Sequence, residues 1–82
     1  MDEDFDGRVE RCMDVFEGRL RSAVERSGMT MHELAGATGI PYTTVCYYLR
    51  GERNATKLNL TRMCVALGVS ADYLMGLTEA IA

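Results

Sequence analysis

Eighty-two residues, 48% of them hydrophobic and 26% charged, describe one small globular domain and exclude a disordered chain. No apolar run approaches the ~20 residues that span a bilayer, and the acidic amino terminus is the reverse of a secretory leader. Three cysteines, Cys12, Cys46 and Cys64, lack the paired spacing of a zinc site or a disulfide framework, so a cytoplasmic protein with free thiols and no membrane contact is expected. The net charge of −3 is unevenly spread: Met1 to Glu17 carries seven acids against two arginines, whereas Gly18 to Ala82 has a balance of +2.

Met1 to Gly7 reads as a frayed, solvated acidic arm. From about Arg8 a helical stripe follows, Val9, Cys12/Met13, Phe16, Leu20 and Ala23/Val24. Gly18 costs that helix roughly 1 kcal/mol relative to alanine, so a bend there, or a start only after it, is expected. Ser27-Gly28 closes it. Thr30 with Glu33 three residues on makes a Thr-x-x-Glu capping box for a second helix carrying Leu34, Ala35 and Thr38. Gly39 ends that helix, and Pro41, with φ already set and no amide to waste, opens the third. There Val45, Tyr48 and Leu49 form one apolar stripe, and Tyr42, Thr43, Cys46, Tyr47 and Arg50 occupy the other face. Gly51 stops the third helix, and Glu52 to Ala55 form a polar loop. Thr56 caps a fourth helix with Leu60, Met63, Cys64 and Leu67 inward, ended by Gly68. Ser70 caps a short fifth, with Tyr73, Leu74 and Leu77 inward or at an interface. No strand alternation, repeat or low-complexity segment appears. The fold class is all-α, a compact bundle of about five short helices.

Ala35, small where two helices cross, Gly39 four residues later and Val45 six beyond that have the spacing of a helix-turn-helix. Beyond this motif, from roughly Phe16 to Leu77, the chain resembles the lambda-repressor-like (Cro/C1, XRE-type) DNA-binding domains. The resemblance rests on Gly28-Met29-Thr30, Glu33-Leu34-Ala35, Gly39-Ile40 and Gly51, and most specifically on Ala66-Leu67-Gly68-Val69-Ser70 followed by Asp72-Tyr73-Leu74. Accordingly the chain divides into residues 1–15 (acidic arm and start of helix one), 16–77 (DNA-binding domain) and 78–82 (tail). Two departures stand out. Many relatives pair an Arg late in helix one with a Glu near the end of helix three; here the matching positions are Val24 and Leu49, a swap of a desolvated ion pair for packing that is often neutral or stabilising. At Met31 relatives often carry Gln, which reaches the backbone or braces a base-reading side chain.

The resemblance implies a transcription regulator, a repressor of the kind found in phages and mobile elements, binding double-stranded DNA as a homodimer on two half-sites. Its third helix would lie in the major groove with Tyr42, Thr43, Cys46 and Tyr47 toward the bases. None of these is an Arg, Asn or Gln able to make a bidentate base contact, so readout falls to thymine methyls, hydroxyls and DNA shape. Arg50, Arg53, Asn54 and Lys57, with Thr44 and the backbone amides near Thr30 and Met31, are the expected phosphate contacts. Tyr73, Leu74 and Leu77 are the expected dimer contacts, unless they only close the core. The alternative is a protein-interaction module on the same fold (antitoxin, antirepressor or adaptor). An enzyme is not expected: His32 is the only histidine, read as exposed or phosphate-adjacent, and no nucleophile–base–carboxylate set, cofactor motif or effector pocket can be assembled.

Overall fold

A computed structural model describes residues 3–82. The chain forms α1 (Glu3–Ser27), α2 (Met31–Thr38), α3 (Tyr42–Leu49), α4 (Lys57–Leu67) and α5 (Ala71–Leu74), with no strand among the described residues. Local chemistry sets most of the ends. Thr30 Oγ1 accepts the Glu33 amide at 3.1 Å while the Thr30 amide donates to Glu33 Oε1 at 2.8 Å, the full capping box at the start of α2. Thr56 and Ser70 accept the amides of Asn59 and Tyr73 in the same way, opening α4 and α5. Gly39, at φ 77°, takes the left-handed backbone that turns the chain from α2 toward α3. Buried Thr38 secures the turn: its hydroxyl donates to Leu34 O at 2.7 Å and accepts the Ile40 amide at 3.2 Å.

α1 departs from the sequence expectation in two ways. The expected frayed arm is helical from Glu3 on, Met1 and Asp2 lying outside the described residues. Acidic residues in a first helical turn are favoured by the macrodipole, which offsets part of the fraying tendency. The helix also runs through Gly18 without a break. Leu20, Ala23 and Val24 are buried on one of its faces, with Phe16 packed against them. Burying each large side chain contributes about 1.5–3 kcal/mol, more than the glycine costs.

Leu20, Leu34, Ile40, Val45, Met63 and Leu74 are the fully buried side chains at the centre, one or more from every helix and from the turn. Val24 and Leu49 are both buried in the same cluster, so the two positions that relatives fill with an ion pair meet apolar surroundings together. Two arginines of α1 tie the bundle. Arg21 Nη1 donates to the carbonyl of Leu49, satisfying the carboxyl end of α3. Arg19 Nη1 donates to Tyr73 O and Thr78 O, both at 2.7 Å, and Ser70 N donates to Ile81 O at 2.7 Å. The last residues are thereby strapped to α1 and to the start of α5.

Candidate nucleic-acid interface

Burying Val45, Tyr48 and Leu49 leaves α3 only one face for anything outside the bundle. Tyr42 and Thr43, in its first turn, are exposed; Thr44, Cys46 and Tyr47 are half-buried. Tyr48 is held in the core by its ring and by its hydroxyl, which accepts a hydrogen bond from Asn59 Nδ2 at 2.9 Å. This fixes the roll of α3 against α4, and hence the direction of the outward face.

The first turn of that face is built as a unit with α2. The Tyr42 ring lies flat on the imidazole of His32, centroids 3.9 Å apart and planes within 9°. Cys46, one turn on, pushes the pKa of the Tyr42 hydroxyl above its ordinary value. Sequence reading placed His32 only as exposed or phosphate-adjacent; the partnership with Tyr42 carries no sequence signal, because the two rings come from different helices, ten residues apart.

The last turn carries the positive charge. The guanidiniums of Arg53 and Arg50 lie over the Tyr47 ring, 4.2 and 5.3 Å from its centroid. Tyr47 is therefore covered by two cations, which leaves less of its ring open than the outward stripe alone implies. Arg50 is also paired with Glu52 at 3.1 Å, whose carboxylate raises the Arg50 pKa further and keeps it charged. Asn54 and Lys57 continue the exposed polar rim into the start of α4.

Other expected contacts are placed differently. The Thr30 amide is taken by Glu33 Oε1, so it is not open to a phosphate. The Met31 side chain packs against the core, leaving that residue its backbone amide at most. Among the expected dimer residues, Leu74 has no exposed surface; the single turn of α5 points it straight into the centre, and it is removed from the interface. Tyr73 is half-buried with the Arg19 guanidinium 4.6 Å over its ring. Leu77 is 62% exposed, beside an apolar groove of about 650 Å³ lined by Val9, Met13, Leu60 and Met75 among others. Burial pushes the Cys64 pKa up, which keeps it an unreactive thiol.

Among the described residues no group of histidine, cysteine and carboxylate side chains is arranged to hold a metal ion, and no helix is long and apolar enough to cross a membrane. Residues 20–74, well over half of the chain, match the family model described as helix-turn-helix. No curated protein matches the chain.

Proposed function

The chain belongs to the Cro/C1-type helix-turn-helix family, and from that premise we propose that it is a sequence-specific, double-stranded DNA-binding transcriptional repressor that acts in the cytoplasm. The observation that carries this reading is the outward face of α3: exposed Tyr42 and Thr43 at its amino end, two guanidiniums gathered over Tyr47 at its carboxyl end. In this reading the first pair meets base edges and the second, gathered at one end of the helix, meets backbone phosphates beside the groove. With no bidentate donor on the face, discrimination comes from Thr43 and the Tyr42 ring against thymine methyls and from groove shape. No catalytic role is assigned to any residue.

Selection from a pool of random duplexes tests the reading. The protein is expected to enrich one motif, and Thr43→Ala to change the preferred base at one position of it with about 1–3 kcal/mol of discrimination lost there. A pool that emerges unenriched would favour the protein-interaction use of the fold; an unchanged motif with Thr43→Ala would move the reading face elsewhere.

One domain of this size offers too little interface for tight binding, so two copies on paired half-sites are proposed. Leu77, with exposed Met75 and Met13 beside it, is where they would meet. Leu77→Asp is expected to turn a dimer into a monomer in sedimentation and to abolish the advantage of a two-half-site duplex over a single one. A dimer that survives the substitution would place the contact away from the groove.

A further inference from the structure

In a recognition helix that reads bases with an aromatic ring, the orientation of the ring decides what it reads. A tyrosine at the first position of a helix, 37% exposed, would ordinarily sample several rotamers. Here Tyr42 is constrained across one face of its ring, where His32 lies parallel to it with centroids 3.9 Å apart. The constraint crosses the turn of the motif, since His32 belongs to the first turn of α2 and Tyr42 to the first turn of α3. Met31 supplies no such brace, because its side chain packs against the core.

We propose that His32 is a positioning residue for base recognition: its imidazole presets the Tyr42 ring so that one face and edge of that ring are presented to the groove. This deepens the DNA-binding reading and rests on it. The physical basis is pre-organisation. A side chain already held in its bound rotamer loses less freedom on binding, so the stack improves both affinity and discrimination without touching DNA. His32 is exposed and makes no contact that the core depends on, so its removal leaves the fold intact.

The proposal differs in its consequences from a phosphate contact by the same residue. Removing a phosphate partner weakens binding to all sequences alike and reduces the salt slope; removing a positioning group blurs preference at one base step and leaves the slope unchanged. Three proteins separate these: the unaltered chain, His32→Ala, which removes the ring, and His32→Phe, which keeps a flat ring without nitrogens. Each is taken through duplex selection, salt titration of binding to the selected motif, and proton NMR of the Tyr42 ring without DNA.

The expected results are ring protons of Tyr42 shifted upfield by the stack, moved toward free-tyrosine values in His32→Ala and kept shifted in His32→Phe. On DNA, His32→Ala is expected to bind the selected motif about three- to tenfold more weakly, from the ordering cost of one side chain, and to lose preference at one position per half-site. His32→Phe is expected to restore both, with equal salt slopes throughout. Unshifted Tyr42 protons in the unaltered chain would overturn the proposal. So would an unchanged motif with His32→Ala, or a uniform loss with a shallower salt slope that His32→Phe fails to restore. If the unaltered chain enriches no motif at all, the DNA-reading function itself falls and the proposal with it, a result distinct from each of the others.

Discussion

Replacing Arg50 and Arg53 together with alanine is expected to weaken binding to every duplex by roughly a hundredfold or more and to flatten its salt dependence. A hydrogen bond to a charged group contributes about 1.5–3 kcal/mol, or tenfold and upward in affinity, and each phosphate left without its cation takes about 0.9 off the slope of log affinity against log salt. The two residues are not equivalent. Arg53 lies 4.2 Å from the Tyr47 ring centroid and, among the described residues, has no carboxylate partner, so its charge is fully available. Arg50 must share with Glu52 at 3.1 Å, an exposed pair of small intrinsic worth, and a phosphate has to compete with that carboxylate. Arg53→Ala alone is therefore expected to cost more than Arg50→Ala, and Glu52→Gln to bind all sequences more tightly than the unaltered chain. Titrating a labelled duplex at a series of salt concentrations measures all four. Parallel salt slopes for the double variant and the unaltered chain would mean that neither arginine meets a phosphate.

Helix ends were legible in this sequence because they are written in local chemistry. Thr30 with Glu33, Thr56 and Ser70 act through side-chain oxygens on amides three residues away, and Gly39 and Gly68 through a backbone that other residues take only at a cost. The inward stripe of α3 was legible for the same reason: its period alone places Val45, Tyr48 and Leu49 together. α1 misled because its local signals point the other way. Gly7 and Gly18 both argue against one continuous helix, while what holds its middle is distant: Val15 packs beside Gly76, and the Cys12 thiol lies 3.7 Å from Gly76 O. In the site, exposure of Tyr42 and Thr43 followed from the stripe, but the contacts between side chains did not. Whether Arg53 reaches back over Tyr47 depends on the path of a loop, and the His32 stack on the crossing of two helices. Leu74 was open between core and interface since a one-turn helix has too few residues for a period to show which way each points.

Gly76→Ala is the substitution expected to cost the fold most for the fewest atoms added. Gly76 follows α5 at φ 76°; its amide donates to Tyr73 O at 3.1 Å and the Leu77 amide to Asp72 O at 2.8 Å, the paired bonds of a Schellman ending. A side chain in that left-handed conformation costs about 1–2 kcal/mol by itself. A Cβ at this position would also lie 2.6 Å from Val15 Cγ2 and 3.3 Å from the Cα of Cys12. The backbone of α1 cannot retreat as a flexible side chain can, so overpacking adds about 1–3 kcal/mol. A domain of this size has only about 4–12 kcal/mol in total, at roughly 0.05–0.15 per residue, and each kcal/mol lowers the melting temperature by about 4–8 °C. Gly28→Ala is the matched control, with the same sign of φ, 76°, and open space where its Cβ would stand, so that it carries the conformational cost alone. Thermal and denaturant unfolding of the two variants should then separate by the overpacking contribution. Equal losses would mean that α1 gives way at Val15 without resistance, and that its middle is not packed against the end of α5 as tightly as Gly76 requires.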